Sequence, residues 1–205
     1  PLPKILAVPM DIILASTSPY RRSLLERLQF DFRCVAPEVD EAATAGELPG
    51  DLAARLSRAK ARVVADRFPN ALVIGSDQVA SIDGHTIIGK PGSFEAARTQ
   101  LRASSGKKVT FYTGIALCCI AQGLEQFHVE PFSVWFRELS DAQISNYLRR
   151  EQPYDCAGSF KVEGLGIALF AQLLGNDPTS LEGLPLLKLN EMLLDEGLDV
   201  LLLGQ

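Results

Sequence analysis

Ser16-Thr17-Ser18-Pro19-Tyr20-Arg21-Arg22 gathers hydroxyls, a helix start and two adjacent guanidiniums immediately after a short apolar run. Free backbone N–H groups and the positive end of a helix dipole attract an anion, and arginine adds bidentate charge, so the segment offers the chemistry of a phosphate cradle. It equally fits a capped helix start with two solvated arginines, and needs corroboration from elsewhere in the chain. Acidic residues supply it. Asp40 and Glu41 follow a second strand-like segment and Asp77 follows a third, at the strand ends where ligands of α/β sheets bind. Lys60 and Lys90 add two separated positive charges. Hard carboxylates beside phosphate-binding arginines are what a Mg²⁺ or Mn²⁺ polyphosphate site requires. Asp77 taken alone would fit a turn or capping aspartate just as well.

Other chemistries are poorly served. The two histidines, His85 and His128, stand in unrelated contexts, neither near a nucleophile elbow, so a Ser-His-Asp device is not expected and both read as solvent-facing or hydrogen-bonded residues. Cys34, Cys118, Cys119 and Cys156 form no CxxC pair and read as core residues of a protein from a reducing compartment. Gly106-Lys107-Lys108 lacks the hydroxyl of a P-loop, and Gly89-Lys90-Pro91 lacks its helix. Gly164-Leu165-Gly166 is a fragment of a dinucleotide fingerprint and reads as turn chemistry.

The elements that must position these residues follow from periodicity. Ile12–Ala15 reads as a buried strand, Ser18 as an N-cap and Pro19 as the first residue of a helix carrying Leu24, Leu25 and Leu28. Phe32–Ala36 suits a second strand and Asp51–Asp66 a helix. Ala71–Ile74 suits a third strand ending in Gly75-Ser76-Asp77-Gln78, with Asp77 emerging at the sheet edge of a cleft. Val79–Ile82 leads to a hairpin turn at Asp83-Gly84. Helices are expected over Phe94–Arg102, Ser140–Arg149 and Leu184–Leu194, and strands over Val109–Ile120 and Phe127–Phe136, joined at Gln122-Gly123. Alternation first and hairpins later favour an α/β fold with a mixed sheet and flanking helices.

Composition bounds the rest. A chain of 205 residues, 47% hydrophobic and 22% charged, supports one domain with a real core. With 20 Lys plus Arg against 25 Asp plus Glu the net charge is -5, so long nucleic acids are not expected partners. No apolar run reaches membrane-spanning length, and neither a membrane nor export is expected. Residues 1–9 read as a possible non-native or flexible extension, leaving 10–205 as the domain.

Five segments in order carry a resemblance: Leu14-Ala15-Ser16-Thr17-Ser18-Pro19-Tyr20-Arg21-Arg22, Glu38-Val39-Asp40-Glu41, Gly75-Ser76-Asp77-Gln78, Gly89-Lys90-Pro91, and Ala157-Gly158-Ser159-Phe160-Lys161-Val162-Glu163-Gly164. Together they resemble the Maf family of nucleoside triphosphate pyrophosphatases, from Asp11 to the C-terminal helix. Tyr20, Gln78 and Glu163 resemble the branch that hydrolyses 7-methyl-GTP to 7-methyl-GMP and pyrophosphate; other branches carry Arg and Thr at the first two positions, as in dTTP and UTP pyrophosphatases.

The resemblance implies that Asp77 is the proton acceptor and metal-site acid with Glu41. It implies that Ser16, Ser18, Arg21, Arg22, Lys60 and Lys90 bind phosphates, and that Tyr20, Gln78 and Glu163 set base choice. It also implies a strongly bent mixed sheet with two lobes around a cleft, as in Maf and inosine triphosphatase proteins. A divalent cation, a homodimer and a cytoplasmic location are implied with it. A non-catalytic nucleotide-binding regulator of cell division is the alternative outside enzymology. A carboxylate of ordinary strength, pKa about 3.9, faces water at about 15.7, a gap on the order of 16 kcal/mol, so a metal and late proton transfer are needed for any such base.

Overall fold

In the computed structural model, which describes residues 11–203, the apolar run Ile12–Ala15 forms strand β1, buried at every position. The expectation about residues 1–9 lies outside the described residues. Helix α1, Pro19–Glu26, starts as its sequence dictates: the Ser18 hydroxyl accepts from the Arg21 N–H and Pro19 occupies the first turn. Strand β2 is only Arg33–Cys34, shorter than the Phe32–Ala36 segment expected, and both residues are exposed at the sheet margin. Helix α2, Pro49–Ala65, buries Leu52, Leu56, Ala61 and Val64 on one face. Each fully buried Leu or Val there contributes about 1.5–3 kcal/mol.

The third strand departs from expectation. Leu72–Ser81 is one continuous ten-residue strand, β3, so Asp77 stands in mid-strand and not at a strand end. The hairpin at Asp83-Gly84 is present: the Asp83 carboxylate accepts from the N–H groups of His85 and Thr86, and β4, Ile87–Ile88, returns antiparallel to β3. Helix α3, Phe94–Ser104, is followed by the long strands β5, Lys108–Cys119, and β6, Leu124–Phe136. Helix α4, Asp141–Glu151, opens with a capping box of Ser140 and Gln143. Strand β7, Phe170–Leu174, was not expected from sequence, and helix α5 spans Leu186–Asp195.

The seven strands make one mixed sheet in the order β2-β1-β3-β5-β6-β7, with β4 also on β3. β1 is parallel to β2 and β3, and the other pairings are antiparallel. The long strands run through two large hydrophobic clusters among others. At one end Leu72, Ile74, Ile115 and Leu117 bury against Leu24, Leu25, Leu189 and Leu193. At the other Ala80, Phe111, Phe132 and Phe136 bury against α3, α4 and Phe160. These two large clusters mark the two lobes, and two smaller ones pack under α2.

The cysteines divide differently from the expected core set: Cys118 and Cys119 are buried, whereas Cys34 is exposed on its short marginal strand and Cys156 is half-buried in a loop. All four are free thiols.

Candidate active site

A gap in the sheet makes the site. β1 pairs with β3 from Leu72 to Gly75 and then stops, and β4 joins the same side of β3 only at Ala80. Ser76 to Val79 therefore face an interval with no strand on that side, and a cavity of about 530 Å³ opens there between the lobes. That volume lies within the range of small-molecule sites. Its position beside the carboxyl end of β1 is where α/β sheets bind ligands.

Alternation along β3 sends Asp77 and Gln78 to opposite faces. Asp77 meets α2: Lys60 Nζ donates to its Oδ1 at 2.6 Å and lies 2.6 Å from Glu41 Oε1. The helix comes this close because Gly75 and Gly114 have no β-carbon. One added at Gly75 would overlap the Ser57 carbonyl oxygen, and one at Gly114 the Ala53 carbonyl oxygen. Lys60 is thus almost fully buried yet shared by two carboxylates, the pairing a buried ammonium needs. Burial works to raise the Glu41 carboxyl, but the hydrogen bond and charge of Lys60, with Lys90 and Arg21 beyond, hold it below its ordinary value. Arg21 turns into the same cavity; burial presses its guanidinium downward, while Asp77 and Glu41 act to restore it. Its Nε donates to the Gly183 carbonyl at 2.8 Å. Ser16 is buried at the cavity wall, where its hydroxyl accepts from the Ser18 N–H at 3.1 Å.

The opposite face of β3 anchors a wall. The Gln78 side-chain nitrogen donates to the Ser180 carbonyl at 2.7 Å, Thr113 Oγ1 donates to the same carbonyl at 2.9 Å, and Ser76 Oγ reaches the Gly183 carbonyl at 3.0 Å. Across the cavity, the Tyr20 hydroxyl donates to Asp155 Oδ2 at 3.2 Å, and Lys161 Nζ stands 5.6 Å from the Tyr20 ring centroid. Glu163 lies half-buried at this end. Burial pushes its carboxyl up, and the negative charges of Glu182 and Glu151 add to the rise while Lys161 opposes it. One end of the cavity is therefore cationic around Arg21, Lys60 and Lys90, and the other combines an aromatic ring with acids.

Residues 11–196 match the family described as Maf-like protein. The chain belongs to this family. A relative from Pseudomonas syringae pv. tomato, named 7-methyl-GTP pyrophosphatase, is 54% identical over 189 residues, which cover 92% of this chain and 98% of the relative. Among solved structures, the nucleoside-triphosphatase, dITP/XTP pyrophosphatase, of Mycobacterium abscessus is 17% identical and aligns over 96% of this chain and 100% of that one, with a TM-score of 0.46. The Ham1 protein of Staphylococcus aureus aligns over 62% of this chain and 72% of that one, at 14% identity and a TM-score of 0.44.

In this Maf-like chain the cavity wall brings together Ser16, Ser18, Tyr20, Arg21, Glu41, Lys60, Asp77, Gln78, Lys90 and Glu163. Arg22 is the exception. Successive helical residues point about 100° apart, so Arg21 faces the cavity and Arg22 faces solvent, where its Nε donates to Glu26 at 3.0 Å. The expected pair of guanidiniums is corrected at this point: of the two, Arg21 alone lines the cavity. Of the neighbouring acids, Glu41 faces the cavity, while Asp40 accepts from the Ala42 N–H in its own exposed turn.

Sequence reading missed the segment behind the wall. Buried Asp177 accepts from the N–H and hydroxyl of Thr179 and from the N–H of Leu187, folding Asp177–Gly183 into the shape that offers its carbonyls to Arg21, Ser76 and Gln78. Asp177-Pro178-Thr179 reads only as a turn, and nothing local betrays so distant a role. Asp155 was missed for the same reason.

Proposed function

We propose that this chain is a nucleoside triphosphate pyrophosphatase that hydrolyses 7-methyl-GTP to 7-methyl-GMP and pyrophosphate, clearing a modified nucleotide. The observation that carries the reading is the polarity of the cavity, with three cationic side chains around a carboxylate pair at one end and a tyrosine ring with acids at the other. A triphosphate suits the first end. A guanine made cationic by N7-methylation suits the second, since a cation over an aromatic face gains about 0.5–2 kcal/mol. Glu163 supplies acceptors for the N1 and N2 donors of the guanine edge. The relative's name, 7-methyl-GTP pyrophosphatase, agrees.

In this reading a water oxygen bonds to the α-phosphorus, the bond from that phosphorus to the bridging oxygen breaks, and pyrophosphate leaves with the electron pair. Asp77 orients the water and takes its proton as the new bond forms. Arg21, Lys60 and Lys90 offset charge building on the phosphates. Ser16, Ser18 and the start of α1 hold the phosphate chain. Among the described residues no group of three or more His, Cys, Asp or Glu is placed to hold a metal by itself. Glu41 and Asp77 each keep one carboxylate oxygen off Lys60, however, and two carboxylates completed by substrate phosphates suit Mg²⁺ or Mn²⁺. Bound there, such an ion would neutralise phosphate charge and acidify water.

The reading extends to a cytoplasmic homodimer without nucleic-acid or membrane partners; among the described residues no helix is long and apolar enough to cross a membrane. A nucleotide panel tests the function. With Mg²⁺ or Mn²⁺, pyrophosphate release from 7-methyl-GTP is expected to exceed that from GTP by about tenfold, the scale of one cation–π contact, and that from dTTP and UTP, which also lack the guanine edge, by more. Equal rates on all four would defeat it.

A further inference from the structure

Glu163 rides on a turn that is held by something outside the cavity. Phe160, at the base of the turn, is buried edge-on among Phe111, Phe136 and Phe170. From there the chain rises to Glu163 and returns at Leu165, closing when the N–H groups of Gly164 and Gly166 donate to the Lys161 carbonyl at 3.3 and 3.0 Å. Helix α4 grips both arms. The Lys161 N–H donates to the Tyr147 hydroxyl at 3.1 Å, and the Leu165 N–H donates to Glu151 Oε2 at 2.7 Å. Tyr147 and Glu151 are four residues apart and share one helix face. The fit is close: a β-carbon on Gly164 would stand 2.7 Å from Glu151 Oε1, and one on Gly166 would overlap the Lys161 carbonyl oxygen.

We propose that Glu151, helped by Tyr147, is a positioning residue for base selection: it clamps the Lys161–Leu165 turn and so fixes where Glu163 meets the guanine edge. This rests on the 7-methyl-GTP reading above. Glu151 does not line the cavity, and its carboxylate is committed to a backbone N–H, so it acts only through the turn. The same turn sets Lys161 beside Tyr20, so one clamp orients the edge-reading acid and steadies the ring. Glu151 also touches Glu163 through charge. The groups facing Glu163 are Glu182 from the Pro178–Glu182 segment, Glu151 from α4 and Lys161 from its own turn. The two acids favour the protonated form of Glu163, which surrenders acceptors for the guanine edge.

The test compares wild type, Glu151→Ala, Glu151→Gln and Tyr147→Phe on 7-methyl-GTP and on its inosine counterpart, which lacks the 2-amino group. Glu151→Ala is expected to raise KM for 7-methyl-GTP about tenfold with kcat within about twofold, and to erase the preference over the inosine counterpart, the scale of one charge-assisted hydrogen bond. Glu151→Gln keeps an acceptor for the Leu165 N–H and is expected to restore the preference. It also removes a negative charge, so the acidic limb of the KM profile should move to lower pH, a change that mere support of the fold would not produce. Tyr147→Phe deletes one hydroxyl and decides the matter if Glu151→Ala fails to fold; a smaller rise in KM of about threefold is expected. Unchanged KM and preference in Glu151→Ala, or in Tyr147→Phe where the first variant is unfolded, overturns the clamp. Absence of pyrophosphate release from 7-methyl-GTP by wild type overturns the functional reading itself and is distinguished by being measured first.

Discussion

Lys60 sets the character of the site at the scale of single residues. Its ammonium is buried at a cost that only its two carboxylate partners at 2.6 Å offset, and the resulting trio carries a net charge of -1 beside the positive Arg21 and Lys90. Such a trio presents carboxylate oxygens to the cavity and leaves Arg21 and Lys90 as the positive charges that face an anion. The thiol of Cys156 lines the same cavity and is pushed up to about 12 by burial, with Asp155 adding to the rise. It is a spectator in that state. Alkylation by iodoacetamide at pH 8, mapped by mass spectrometry, is expected to label exposed Cys34 well before Cys156, leaving activity intact; prompt labelling of Cys156 would contradict the protonated, shielded thiol. Residue types were the part most legible in sequence. Asp77, Glu41, Lys60 and Arg21 stand out by type and order and do come together at one cavity, whereas the outward turn of Arg22 follows from a helical angle that needs the cavity's position before it can be applied.

Elements decide whether those residues meet. α2 carries Lys60 and β3 carries Asp77, and their contact depends on Gly75 and Gly114 letting the helix lie directly on the strand backbone. Gly75→Ala is therefore expected to destabilise the fold by about 1–3 kcal/mol, the usual cost of overpacking, and to depress turnover beyond what stability explains by lifting Lys60 from Asp77. Thermal unfolding and pyrophosphate release measured on the same sample check this; an unchanged melting temperature would contradict the close approach. Strand existence was legible here, and strand extent was not. The polar Gly75-Ser76-Asp77-Gln78 stretch looks like a strand end because its hydrophobic pattern breaks. In the fold it stays in the ladder through pairing with β5 while those side chains face the gap and the Asp177–Gly183 wall. β7 was invisible because Phe170–Leu174 is largely exposed and follows a run of short turns.

At the scale of the molecule, two large hydrophobic clusters share the long strands β3 and β5, with the cavity at their junction. Mixed topology could be anticipated from alternation followed by hairpins, whereas the lobes came only with the family resemblance. The place of the cavity could not, because it arises where β1 stops and β4 has not yet begun, a pairing fact with no local signature. In the proposed function a nucleotide seated there would touch β3, α1, α2 and the turn carrying Glu163, and would stabilise the fold by mass action, about 2.7 kcal/mol at a hundredfold excess over Kd.

In the proposed function Asp77 acts on the water and beside the metal, while nucleotide binding rests on the other cavity residues, and one variant separates turnover from nucleotide binding. In Asp77→Asn, metal-dependent pyrophosphate release from 7-methyl-GTP is expected to fall at least about a hundredfold, the scale of a lost general base, while 7-methyl-GTP still raises the melting temperature by several degrees. Near-normal release by a metal-replete Asp77→Asn protein would contradict the account.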